Sequence, residues 1–264
     1  MMILFIMTII NNSNKKIKKS SDHDVKIISD DQFDSQSILQ SESVKSQSLP
    51  LNQANLSDIK DNQCHQSTGN QTEIPIYQRE LDSFDSIICH IGVGGFFRSH
   101  QAMYTHKLLM NPPKTYDEHN EKRWGFIGIG LMPWDNAMKH VTSQQDCMFT
   151  VIARNSEVTE STVVGSMIDF IYAPQDDSGQ TVIERLAHPS TKIVSLTITE
   201  KGYCLNADRK LDLNNSLVKH DLENPKTRTH SAVGLIVKSL MLRRLRSIDA
   251  FTILSCDNLP GNGD

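Results

Sequence analysis

Apolar residues are spread unevenly along this chain. From Asn11 to about Thr72, Ser, Asp, Asn, Gln and Lys dominate, and the isolated Ile and Leu residues hold no sustained period. Such a stretch buries too little apolar surface to offset the entropy of ordering, so it reads as disordered, with a short interaction tail as the alternative. Past Gln78 the texture changes to apolar runs separated by polar helices. This divides the chain into a low-complexity extension, residues 1–77, and one folded domain, residues 78–264.

Within the domain, Ser86-Ile-Ile-Cys-His-Ile-Gly92 is a short apolar run closing on glycine, the form of a strand buried on both faces. Gly95 to Met110 sets Phe96, His100, Met103, Tyr104 and Leu108 at helical spacing, which completes a strand-turn-helix unit. Trp124 to Leu131 predicts a second strand, Pro133 to Gln144 a helix opened by proline, and Cys147 to Ala153 a third strand. A strand over Thr162 to Tyr172 and a helix over Thr181 to Ala187 follow, then the β-branched run Lys192 to Thr199. A long amphipathic helix from about Ser231 to Arg246 leads to a last strand, Phe251 to Cys256. Strands alternating with helices imply an α/β fold: a mostly parallel sheet covered by helices on both faces. The sequence ends at Asn258-Leu-Pro-Gly-Asn-Gly-Asp264, just past a strand's carboxyl end, where ligands bind in such sheets. That ending predicts a truncation, natural or from a gene-model error.

Composition narrows the function classes. The net charge of -4 offers no basic face for nucleic acid, so a small-molecule substrate is the better expectation. Cys64, Cys89, Cys147, Cys204 and Cys256 are odd in number, widely spaced and free of any Cys-x-x-Cys pair, which indicates neither a disulfide framework nor a zinc site. The chain therefore reads as cytoplasmic. Met1 to Ile10 is apolar, but ten residues fall well short of the ~20 that a spanning helix needs. The basic residues Lys15, Lys16, Lys18 and Lys19 also follow this segment, whereas a signal peptide carries them before it. It is read as part of the extension, with no membrane role; an export or anchoring role is the minority alternative.

Chemistry concentrates at strand ends. Gly92-Val93-Gly94-Gly95-Phe96-Phe97-Arg98 sits between a predicted strand and a predicted helix. There Gly92 allows a tight turn and Gly94 lets the backbone approach a pyrophosphate at the helix N-terminus. Phe97 occupies the place of the usual third glycine, and a lone Gly-x-Gly also occurs in turns that bind nothing. A ribose-binding carboxylate is expected about 20 residues on in the simplest unit. Here the polar stretch Asn111 to Lys122 delays the second strand and puts Asp135, 43 residues after Gly92, in that place. An aspartate there favours NAD over NADP, whose 2'-phosphate it would repel. The same residue also suits the first turn of a helix, and the two readings stay open.

Ser195-Leu-Thr-Ile-Thr-Glu-Lys-Gly-Tyr203 and Ser255-Cys-Asp-Asn258 both end strands in polar residues on the ligand side. An amide at Asn258 would sit beside a substrate oxygen, or Asp257 and Asn258 could simply cap the next helix. His90, His100, His106 and His140 lack metal-like spacing, so His100 and His106 are read as helix-face residues and no metal is expected. Arg243, Arg244 and Arg246 read as a solvated helix end.

Taken together, His90 to Gln101, Trp124 to Leu131, Ser195 to Tyr203 and Ser255 to Gly263 resemble the N-terminal Rossmann domain of the long-chain polyol dehydrogenases, the mannitol dehydrogenase family. The resemblance runs from about Ser86 to Asp264 and implies a Rossmann-like, doubly wound sheet. It also implies metal-free hydride transfer between NAD and the secondary alcohol carbon of a polyol or sugar acid. Residue by residue, Gly92, Val93, Gly94, Gly95, Phe96 and Arg98 would shape the cofactor loop, and Asp135 would meet the adenosine ribose. Thr199 and Glu200 would lie near the nicotinamide, and Asn258 would stabilise the developing alkoxide. Phe97 stands where many members have histidine. The family's general base, a lysine in a Lys-x-x-x-x-Asn-x-x-His motif, belongs to a C-terminal helical domain, the implied structural partner, expected to be missing here. The polypeptide alone is then expected to be inactive or nearly so. The competing expectation is a non-catalytic nucleotide-binding or regulatory module.

Overall fold

A computed structural model describes residues 50–59, 72–112, 123–154, 159–176, 178–258 and 262. The apolar N-terminus, the polar tract up to residue 49, Cys64 and most of the polar stretch 111–122 lie outside the described residues. Strands and helices follow in the order β1 (Thr72–Glu73), β2 (Ser86–Ile91), α1 (95–110), β3 (Trp124–Gly130), α2 (Asn136–Gln144), β4 (Phe149–Arg154), β5 (Thr159–Val164) and β6 (Met167–Tyr172). They continue as α3 (Gln180–Ala187), β7 (Thr191–Leu196), α4 (Thr199–Gly202), α5 (Ser216–Glu223), α6 (Ala232–Leu245) and β8 (Thr252–Ser255).

The main sheet has the spatial order β6-β3-β2-β7-β8, and every neighbouring pair is parallel. The chain first winds from β2 outward through β3 to β6. It then crosses to the other side of β2 for β7 and β8, so the winding reverses between β2 and β7. That reversal opens a crevice at the carboxyl edge, the place where doubly wound sheets hold ligands.

All six residues of β2 are buried, because both faces of the sheet are covered. Alternation divides them. Ile87, Cys89 and Ile91 join Val182, Leu186, Leu235 and Ile236 from α3 and α6, while Ile88 joins Phe97, Ala102 and Met103 of α1 on the opposite face. Each fully buried isoleucine contributes roughly 1.5–3 kcal/mol. Helix α1 is interrupted by a π-helical segment, Arg98–Ala102, directly after its first turn. Such bulges often lie beside functional sites.

The structure corrects the sequence reading at several points. The strand expected over Thr162 to Tyr172 is two strands in two sheets, because the chain breaks direction at Gly165–Ser166. The Ser166 hydroxyl donates to the Ala102 carbonyl (2.6 Å), which ties this break to α1. The strand expected over Cys147 to Ala153 runs as β4, outside the parallel sheet. It pairs antiparallel with β5 in a small sheet of order β1-β5-β4. The strand expected over Lys192 to Thr199 stops at Leu196, and α4 and α5 were not expected.

Arg243 is 2% exposed, whereas Arg244 and Arg246 are exposed as the solvated-end reading requires. Its guanidinium donates to the carbonyls of Leu186, His188, Thr191 and Asp249. His106, read as a helix-face residue, is fully buried, and the Tyr77 hydroxyl donates to its Nδ1 (2.6 Å). β1 pairs with β5, and Gln53 donates its backbone N–H to Asp146 Oδ2 (2.9 Å). These contacts lie on the N-terminal side of the boundary expected at residue 78, so the folded unit takes in at least Thr72 to Tyr77.

Candidate functional site

The carboxyl ends of β3, β2, β7 and β8 stand side by side and carry nearly every residue singled out from the sequence. At the centre is the loop after β2. Gly92 adopts φ +95°, a backbone open mainly to glycine, and a Cβ there would stand 2.3 Å from the Thr197 carbonyl oxygen. Backbone bonds hold the turn between its neighbours: Gly92 N donates to Ile129 O (3.2 Å) and Thr197 N to Ile91 O (3.0 Å). The Thr197 hydroxyl closes the turn by donating to Gly92 O (2.7 Å).

His90 supports the loop from below. It is fully buried, and its ring stacks on Phe97 at 3.9 Å between centroids. Because the Thr197 hydroxyl donates to Gly92, His90 Nε2 is the donor to Thr197 Oγ1 (2.8 Å), and Nδ1 accepts from Ser195 (2.8 Å). Burial pushes the His90 pKa down to about 3, so the ring is neutral. Phe97 thus serves as the stacking partner of a buried histidine and not as a loop residue facing ligand.

Gly94 is different in kind. It is the exposed N-terminal cap of α1, in an extended conformation, and a Cβ there would meet nothing within 4 Å. Gly95 begins α1, whose first-turn N–H groups have no acceptor within the helix and point, with the positive end of its dipole, toward the open side. An anionic group can approach this backbone closely. Val93 is partly buried, whereas Phe96 is 46% exposed and stacks on His100 (5.1 Å). The Arg98 guanidinium lies 5.9 Å from the Phe149 ring centroid, so it packs toward the small sheet.

Asp135 lies in the short helical turn Pro133–Asp135 that follows β3. Its Oδ2 accepts from Met132 N (2.9 Å), which caps the turn and agrees with the first-turn position that the sequence also allowed. Burial raises its pKa against the opposing hydrogen bonds from the N–H groups of Met132 and Leu131. Gly130 permits the turn, since a Cβ there would stand 2.6 Å from Asp135 Cβ. Trp134 beside it is 71% exposed.

On the other side of the crevice, Thr199 opens α4 with φ +64°, an uncommon backbone for a β-branched residue. Thr199 and Glu200 are both exposed at the edge, as is Asn258 beyond β8. The sequence reading missed the group that joins these two tips. Asp257 accepts from Ile198 N (3.0 Å), Thr199 N (3.0 Å) and the Tyr203 hydroxyl (2.6 Å). The Tyr203 oxygen also lies 2.5 Å from Ser255 Oγ. Burial and the adjacent carboxylate raise the Tyr203 pKa, keeping the phenol protonated as a donor. The visible signal was two strands ending in polar residues; that one tip caps the other was not visible. Among the described residues no three His, Cys, Asp or Glu side chains cluster as a metal site. None of the described helices is long and apolar enough to cross a membrane.

A family model described as the mannitol dehydrogenase Rossmann domain matches residues 86–264. The chain belongs to the mannitol dehydrogenase family. Its Rossmann domain is thus the doubly wound sheet described above. D-mannonate oxidoreductase of Escherichia coli is 44% identical over 196 residues, covering 73% of this chain and 38% of that protein. A mannitol 2-dehydrogenase of Pyricularia oryzae is 40% identical over 205 residues, 74% of this chain and 38% of that protein. Among solved structures, Pseudomonas fluorescens mannitol 2-dehydrogenase in ternary complex with NAD and D-mannitol superposes with a TM-score of 0.67 at 36% identity. That match covers 81% of this chain and 40% of the other. The chain thus spans about two fifths of the length of these relatives.

Proposed function

We propose that this chain is the dinucleotide-binding part of an oxidoreductase that moves a hydride between NAD and a secondary alcohol carbon of a polyol or sugar acid. The observation that carries this reading is the unobstructed main chain at Gly94, at the N-terminus of α1 and at the reversal of a parallel sheet. A family relative solved with NAD and D-mannitol supports the choice of ligand.

The residues present fit the cofactor. Backbone amides at the start of α1, from Gly95 on, would bind the pyrophosphate, with Gly92, Val93 and Phe96 shaping the loop and Arg98 bracing α1. Asp135 would take the adenosine ribose with whatever capacity its capping bond leaves, and would disfavour the 2'-phosphate of NADP. Thr199 and Glu200 would border the nicotinamide. NAD, when bound, supplies a nicotinamide carbon that accepts or returns hydride. Asn258 would orient the substrate oxygen and donate to it as negative charge develops, an oxyanion-hole role. The Lys-x-x-x-x-Asn-x-x-His pattern does not occur in these 264 residues, so this reading takes the general base from the further length that the relatives have. The helical domain belonging to that length is the proposed structural partner, and a cytoplasmic setting fits the free thiols among the described residues.

Titration of the polypeptide with NADH tests the reading. Saturable binding with quenching of Trp134 is expected, and polyol oxidation slower by roughly 10²–10⁴-fold than with a positioned base. A folded chain that binds neither NADH nor NAD sinks the proposal.

A further inference from the structure

The carboxylate of Asp257, just past β8, collects three donors from the segment that follows β7, more than 50 residues earlier in the sequence: two backbone N–H groups at the start of α4 and the Tyr203 hydroxyl. Tyr203 in turn reaches Ser255, so the tips of β7 and β8 are braced by one hydrogen-bonded network. The network holds Thr199 at φ +64°, a conformation that costs a β-branched residue about 1–2 kcal/mol and persists only where its surroundings enforce it. Asn258 follows Asp257 directly, so the same brace fixes where that amide stands.

Location gives the brace a purpose. In a doubly wound sheet the ribose-binding carboxylate marks the adenosine side of the crevice, and the other nucleoside lies across the reversal. Here Asp135 follows β3, so the tips of β7 and β8 fall on the opposite side. We propose that Asp257, clamped by Tyr203, is a positioning residue that shapes the nicotinamide end of the crevice and presents Asn258, without itself touching the cofactor. This rests on the dinucleotide reading given above.

The test is a pair of calorimetric titrations of the whole polypeptide, one with NADH and one with ADP-ribose, which lacks the nicotinamide. Asp257→Asn is nearly isosteric but gives up the charge that strengthens all three bonds. It is expected to weaken NADH about tenfold and leave ADP-ribose within about twofold. Tyr203→Phe, the second variant should the first fold poorly, is expected to show the same selectivity at about threefold. Equal weakening of both ligands overturns the proposal, since a general structural defect does not discriminate between them. Unchanged NADH affinity overturns it as well. Should the parent chain bind ADP-ribose but respond to neither substitution, the dinucleotide reading stands and the brace falls. A parent chain that binds neither ligand removes both.

Discussion

A methyl group added at Gly92 would stand 2.3 Å from the Thr197 carbonyl oxygen on a backbone at φ +95°, whereas one added at Gly94 would point into open space. The two glycines are therefore required for opposite reasons, the first by the fold and the second by whatever approaches from outside. Gly92→Ala is expected to destabilise the protein by about 3 kcal/mol, from backbone strain and forced displacement of β7, read as a shift in urea midpoint. Gly94→Ala should change stability by less than about 1 kcal/mol yet weaken NADH about tenfold. An unchanged NADH affinity would count against Gly94 as the point of close approach. At this scale the sequence was informative where chemistry is local. The Gly-x-Gly spacing and the polar strand ends could be read directly. What could not be read is which of two local roles a side chain takes. Asp135 caps its own turn, and Asp257 caps a turn more than 50 residues upstream.

Helix α6 shows the same limit for whole elements. Its position and length were legible from its pattern of apolar and polar residues, but the burial of one cation among three was not. Arg243 reaches four carbonyls, three of them around the end of α3 and the start of β7, while Arg244 next to it is exposed. Helical periodicity tells which residues share a face, but not that the ends of two other elements supply acceptors to that face. Arg243→Met should leave those carbonyls without a donor and cost about 3 kcal/mol in thermal or urea unfolding. Arg244→Met should fall within about 0.5 kcal/mol, so equal effects would contradict this assignment. The run from Thr162 to Tyr172 failed for a related reason. The run is continuous in β-forming residues, and the break is set by bonds from distant residues: Arg79 donates to Gly165 O (2.9 Å) and Met167 O (3.0 Å), and Ser166 is tied to Ala102.

For the whole molecule, the α/β class and the order of elements were legible because burial on both faces leaves a strong pattern, whereas the N-terminal limit of the folded unit was not. Tyr77 belongs to that overlooked segment, and its bond to His106 gives the molecule a pH dependence. Burial, with help from Lys107 and Arg79, pushes the His106 pKa down to about 4, as burial pushes that of His90 to about 3. Both rings accept a hydroxyl at Nδ1 and have no room for a second proton there. In the unfolded chain each would titrate near 6.5. Below that pH the unfolded state binds more protons than the folded one, so stability is full above pH 6.5 and falls as the pH drops toward 4. The slope is up to about 1.4 kcal/mol per pH unit for each histidine. At Asp221, burial is outweighed by hydrogen bonds from His230 N, Ser231 N and the Ser231 hydroxyl, which hold the carboxyl below the usual carboxylate range, so its contribution is lost only at a lower pH than that of the histidines. The difference between the parent and a His106 variant across pH 4.5 to 6.5 isolates that ring, because the other titrating groups, Asp135 with its raised pKa included, are common to both. His106→Gln keeps an acceptor for Tyr77 but cannot titrate, and its urea-unfolding free energy should fall less steeply across that window than that of the parent, by about 1.4 kcal/mol per pH unit. Parallel profiles for parent and variant would mean that His106 is not held neutral by its burial.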